Sequence, residues 1–133
     1  MKALTVCQPY AELIARGEKR VENRTWYTHY RGPLAIHAGK SREWLNGTTD
    51  EELEKFYGRR VEFGAVIATC TLADCIKLGD IQRGHYALTQ PWLRDHVHTL
   101  GPFCLLLQDV RRLEHPIHCR GMQGFWEFRG LSA

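Results

Sequence analysis

GEKRVENRTW, residues 17–26, decides how the rest of the chain is read. Its alternation is strand-like, yet neither face is apolar. Arg20, Glu22, Arg24 and Trp26 fall on one side; Lys19, Val21, Asn23 and Thr25 fall on the other. Burying such charges dry would cost several kcal/mol each unless they were paired, so this strand must border solvent or a wet cleft. A small sheet with a strand of that kind is expected to curl, because a flat open sheet would leave unpaired edges.

Working outward, the neighbours agree with a curled sheet. KALTVCQP reads as a short buried strand, Ala3 to Cys7, closed by Gln8-Pro9, with Pro9 suited to the first turn of a helix. In YAELIARG the inward residues are expected to be Leu13 and Ile14, and Gly17 is a left-handed stop. YRGPLAIHAGK predicts a strand with Leu34, Ile36 and Ala38 on one face and Ala35 and His37 on the other. SREWLNGTTDEELEKFYGRR predicts two helical pieces broken at Asn46-Gly47. A capping box is expected at Thr48/Glu51 or Thr49/Glu52, with an inward stripe of Leu53, Phe56 and Tyr57. Gly64 to about Leu72 is the central apolar strand. Residues 79–102 are turn-rich, with one short helix after Pro91. FCLLLQDVRRL is another strong strand, and a short one lies near the end. Five or six strands with flanking helices make an α+β fold, a small curled β-barrel. No repeat or linker interrupts residues 1–133, so one domain is expected.

Composition bounds function loosely. The 133 residues are 44% hydrophobic with a net charge of +3, which supports one core and does not demand nucleic acid. Arg16, Lys19, Arg20, Arg24 and Arg31 form one basic group; Arg111, Arg112, Arg120 and Arg129 form another. Brought together they would attract anions; scattered, they are solvated surface. The five cysteines have no framework spacing, and Cys7 and Cys119 lack a local Cys-His arrangement for nucleophilic work. His96-x-His98 has no accompanying CxxC, so no metal and no cofactor are expected. No leader or membrane-length apolar run is visible, which predicts a cytoplasmic protein with no membrane partner, and a monomer.

The chemistry is expected at Lys19, Glu22 and Arg24. Glu22 and Arg24, two residues apart, point the same way and can form one hydrogen-bonded unit. A lysine that is partly desolvated beside other cations has a lowered pKa and becomes useful as an acid or base. The competing reading is a surface ion-pair ladder on an edge strand. Asp74, with Asp80 in reserve, is the candidate second carboxylate. Gln8, Asn23, Trp26, Arg31 and His37 are the candidate binding residues. Trp26, together with Tyr27 and Tyr30, could stack on a base. Gly121 and Gly124 would let a ligand approach the backbone near Phe125 and Trp126, which are expected in the core.

QPYAELIARGEKRVENRTW followed by YRGPLAIHAGK resembles the signature of the ASCH domain family: Gln-Pro, a helix, Gly-x-Lys-x-x-Glu-x-Arg, then an Arg-Gly-x-Leu-x-Ile-His strand. GAVIATCTLADC and the last two strands are similar to the family's remaining elements. The resemblance implies a PUA-like barrel with a cleft for RNA or nucleosides. It also implies three activities: hydrolysis of N4-acetylcytidine to cytidine and an acid, non-catalytic RNA binding, or ribonuclease action. In the amidohydrolase subgroup the strand carries Lys-x-x-Thr-x-Arg, with a Glu supplied later. By position Lys19 matches the lysine and Arg24 the arginine. Glu22 replaces the threonine, which removes the obvious nucleophile. Two expectations remain: Lys19 and Glu22 activate water while Arg24 or backbone N–H groups hold the oxyanion, or Glu22 only hydrogen-bonds a bound base and no chemistry occurs.

Overall fold

A computed structural model describes residues 1–131. Its six strands are β1 (Lys2–Val6), β2 (Val21–Arg24), β3 (Gly32–Ala38), β4 (Ala65–Lys77), β5 (Phe103–His118) and β6 (Phe125–Glu127). They form one curled half-barrel sheet in the order β2-β5-β4-β3-β1-β6. Only β1 and β3 run parallel; the other neighbours are antiparallel. Three register shifts between β4 and β5 supply curvature, since each bulge bends and twists its strand. The helices are α1 (Tyr10–Ala15), α2 (Asp50–Tyr57) and α3 (Leu78–Gln82), with a 3-10 turn at Glu43–Leu45.

The core lies inside the curl. Leu34, Ile36 and Ala38 join Leu4, Val6 and Ile14 in the main cluster, while Ala35 packs on the other face with Ala3, Trp126 and Phe128. A second cluster beneath β2 gathers Val21, Ile76, Ile81, Leu93, Cys104 and Leu106. The charged strand thus buries Val21 and pairs edge to edge with β5, from Val21 opposite Leu106 to Arg24 opposite Phe103.

Several elements differ from the expectation. In α1, Ile14 is buried as expected, but Glu12 is buried in place of Leu13, because Arg112 on β5 supplies a partner for its carboxylate. The capping box is Thr49/Glu52, but Phe56 faces solvent at 80% exposure, and Leu53 alone of the stripe is fully buried. β4 runs on to Lys77. The short helix follows it directly, because Ile81 drops into the second cluster. After Pro91 there are only turns, anchored by the fully buried Leu93. β5 continues through Pro116, which sits where the register slips between Arg112 and Ile117, so its missing N–H costs no ladder bond.

Candidate functional site

The turn after α1 places Lys19. Gly17 takes φ +79°, a conformation that suits glycine, and the N–H groups of Glu18 and Lys19 both donate to the Leu13 carbonyl. The lysine side chain, 4% exposed, folds back so that Nζ lies 3.4 Å from Glu22 Oε1. Arg24 Nη2 donates to Glu22 Oε2 at 2.7 Å and to the Thr5 carbonyl at 2.9 Å. The Lys19 ammonium also stands over the Tyr10 ring, 5.6 Å from its centroid. Lysine, glutamate and arginine therefore converge, and the exposed-ladder reading is excluded by burial alone. Burial pushes the Lys19 pKa below its ordinary value; the Glu22 carboxylate opposes that push without cancelling it. Arg24 Nε is buried with no hydrogen-bond partner among the described residues.

These three groups line a cleft of about 520 Å³ whose walls include Tyr10, Trp26, Trp44 and His98. It adjoins a larger cleft of about 980 Å³ through shared Thr5, Arg24, Thr25 and Trp26. Lys40 and Arg120 add cations to the larger cleft, Gly39, Gly121 and Gly124 belong to its lining, and among the described residues no Asp or Glu lines it. Of the two basic groups, then, Arg24 and Arg120 line one cleft. Arg112 is instead spent on Glu12.

The remaining candidates separate. Trp26 lies on the shared wall, packed edge-on against Phe125 at 5.2 Å. Asn23 borders the smaller cleft, but its amide is occupied: Nδ2 donates to the His98 carbonyl at 2.8 Å, and Oδ1 accepts from the Leu100 and Gly101 N–H groups at 3.1 and 2.8 Å. Gln8 is fully buried and ties the Glu12 N–H to the Glu62 carbonyl, a structural task. His37 lines the larger cleft with both nitrogens used, Nδ1 with Thr5 Oγ1 at 3.1 Å and Nε2 with the Cys119 carbonyl at 2.9 Å. Burial lowers its pKa. Asp74 pairs with Arg31 at 3.1 Å, and neither lines the two clefts. Asp80 is likewise engaged, with Arg83 at 2.6 Å. Tyr27 and Tyr30 pack around the Arg31 turn, where the Tyr30 hydroxyl donates to the Pro33 carbonyl.

Tyr10, Trp44 and His98 complete the smaller cleft although sequence reading did not select them. His98 belonged to the HxH pair, whose only evident reading was a metal motif. Among the described residues no cluster of His, Cys, Asp and Glu is arranged to hold a metal ion.

Gly121 closes the floor of the larger cleft. A Cβ there would stand 2.4 Å from Thr5 Oγ1 and 2.6 Å from His37 Nδ1. Gly121→Ala is therefore expected to destabilise the fold by about 1–3 kcal/mol through forced displacement of that packed pair. Gly124→Ala, by contrast, meets nothing within 4 Å and feels only the strain of φ +65°. Parallel thermal melts check the pair, and equal melting temperatures would refute the steric account.

A family model for the ASCH domain matches residues 4–96. The chain belongs to the ASCH domain family. Human activating signal cointegrator 1 (Homo sapiens) is 39% identical over 83 residues, 55% of this chain and 14% of that protein. The mouse protein of the same name (Mus musculus) is 37% identical over 89 residues, 59% of this chain and 15% of its own length. The chain thus spans about one seventh of the curated relatives it matches. A crystal structure of ASCH from Zymomonas mobilis superposes with a TM-score of 0.56 at 16% identity, covering 97% of this chain and 87% of that one. A point variant of the same protein gives 0.55 at 15%, covering 97% and 90%. At such identities the likeness establishes the ASCH fold alone. No helix among the described residues is long and apolar enough to cross a membrane.

Proposed function

We propose that this ASCH domain hydrolyses the amide bond of N4-acylated cytosine nucleosides such as N4-acetylcytidine. The observation that carries the reading is Lys19: an ammonium 4% exposed, with a depressed pKa, on the wall of an aromatic-lined cleft. A volume of about 520 Å³ accepts a nucleoside, and Tyr10, Trp26 and Trp44 offer rings on which its base can stack.

Both Glu22 oxygens are engaged by cations, so in this reading the carboxylate fixes Lys19 and Arg24 and does not itself accept a proton. The two cations face the acyl carbonyl oxygen and stabilise the negative charge that forms on it as water attacks. The water oxygen forms a bond to the acyl carbon. The bond from that carbon to N4 then breaks, and N4 leaves with a proton. A lysine of lowered pKa is a stronger acid than usual, so Lys19 donates that proton. With Glu22 in place of a hydroxyl-bearing residue, water is the direct nucleophile and no acyl-enzyme forms.

A second reading, RNA binding without chemistry, is favoured by the larger cleft, where Arg24, Lys40 and Arg120 face no Asp or Glu among the described lining residues. One experiment separates the readings. The purified domain is incubated with N4-acetylcytidine, and cytidine release is followed by chromatography. Release in proportion to enzyme is expected. Absence of release, with oligoribonucleotide binding that weakens steeply with salt, would replace hydrolysis by the second reading. Shortening of the oligoribonucleotide would point to nuclease action.

A further inference from the structure

The proposed hydrolysis leaves one requirement unmet: the attacking water must give its proton to a base with a free lone pair in the cleft. Glu22 is held at both oxygens, Lys19 is needed as an acid, and Asp74 lies outside the cleft. The histidines differ in what their rings already do. His37 uses both nitrogens. His96 Nε2 accepts from the Arg20 backbone N–H at 3.1 Å. The His98 ring makes no hydrogen bond among the described residues, is only partly buried, and borders the same cleft as Lys19, Glu22 and Arg24.

We propose that His98 is the general base of this site, placed there by Asn23. The placement is built. Asn23 holds the backbone at His98 and just after it through the His98 carbonyl and the Leu100 and Gly101 N–H groups. The loop is anchored further upstream by buried Leu93, by Arg20 stacked 3.6 Å from the Trp92 ring centroid, and by the His96 bond. Tyr10 meets the His98 ring edge-on at 6.5 Å, and His96 does so at 5.5 Å. The charged groups that act on His98 are Lys19, Glu22 and Glu18; Arg20 acts on His96 beside it. Burial first, then Lys19, lowers the His98 pKa, which keeps the ring neutral at pH 7 and able to accept a proton.

The proton count closes. Water loses a proton to His98 as its oxygen bonds to the acyl carbon. Lys19 gives a proton to N4 as the amide bond breaks. Transfer of the proton from His98 to Lys19, directly or through solvent, restores both groups. The products are cytidine and the carboxylic acid. Asn23 is accordingly a positioning residue, and His98 a catalytic one.

This inference rests on the proposed hydrolysis, and its test separates the two. For the wild-type domain kcat/KM is measured against pH. The rate is expected to fall on the acid side as His98 takes up a proton, and on the alkaline side as Lys19 loses one. His98→Gln is expected to lower kcat by about 10²–10⁴-fold, with KM changed little, and to remove the acid limb. His98→Ala is expected to regain part of its rate in added imidazole. Asn23→Ala is expected to lower kcat while keeping the acid limb, because the ring remains but is loosely placed. Wild-type turnover with an unchanged acid limb in His98→Gln, or no imidazole rescue of His98→Ala, would overturn the assignment while leaving hydrolysis intact. No wild-type turnover at any pH would overturn both. Thermal melts of each variant at the wild-type value tie the losses to chemistry instead of folding.

Discussion

Lys19→Met is expected to reduce kcat/KM for N4-acetylcytidine by roughly a thousandfold, about 4 kcal/mol of transition-state stabilisation, while the variant folds at least as stably as the wild type. The two halves of that expectation have one cause. Burial disfavours the Lys19 ammonium more than Glu22 favours it, so the folded-state pKa lies below the ordinary value of 10.5. For a lysine this means the folded protein holds the proton less tightly than the unfolded chain does. Below the folded pKa both states are protonated, and the fold carries a constant penalty. Between that pKa and about 10.5 only the unfolded chain keeps the proton, so stability from this group rises with pH across that window. Methionine removes the penalty and nearly preserves the volume. Urea midpoints at pH 7 and pH 10 check the stability half: the gap between wild type and variant should narrow at the higher pH. A variant that melts well below wild type at pH 7 would show the ion pair to be a net support. Retained turnover would remove Lys19 from the chemistry.

The site shows why part of it was legible in the sequence. Lys19, Glu22 and Arg24 belong to one short segment, where spacing alone sets their shared direction and an uncommitted charge demands a wet environment. His98 lies in a run with no hydrophobic period, and its place at the cleft depends on distant partners such as Asn23, 75 residues away. Asn23 read as a binding residue because nothing local shows that its amide is spent on distant backbone. Asp74 was placed by position after the central strand, but β4 continues past it and turns its carboxylate toward Arg31. The fold was legible where alternation was clean, as in β3, and obscure where a long-range partner overrode local pattern. α1 is such a case: six residues make fewer than two turns, too few for periodicity to choose between Glu12 and Leu13.

That choice has the largest consequence for stability. Glu12 is 1% exposed, and Arg112 grips it through two bonds, Nη1 to Oε1 at 3.0 Å and Nη2 to Oε2 at 2.5 Å. Arg16 stands farther off, 3.8 Å away. Arg112→Ala removes the bidentate partner and leaves a carboxylate in the core, at an expected cost of about 3–5 kcal/mol. For a domain whose total stability is typically about 5–15 kcal/mol, that loss populates the unfolded state. The pair itself is not the source of so large a number: the penalty arises from the stranded charge. Glu12→Gln combined with Arg112→Met should therefore recover most of the loss, since no ion is then buried and the volumes are kept. Urea unfolding of the three proteins measures this directly, with an unchanged slope showing that the transition is the same. A double variant as unstable as Arg112→Ala would mean that the bond geometry, not the abandoned charge, holds α1 against β5. The same helix carries Tyr10 to the Lys19 cleft, so Arg112→Ala should also weaken catalysis at temperatures where the fold still persists, and the double variant should restore both together.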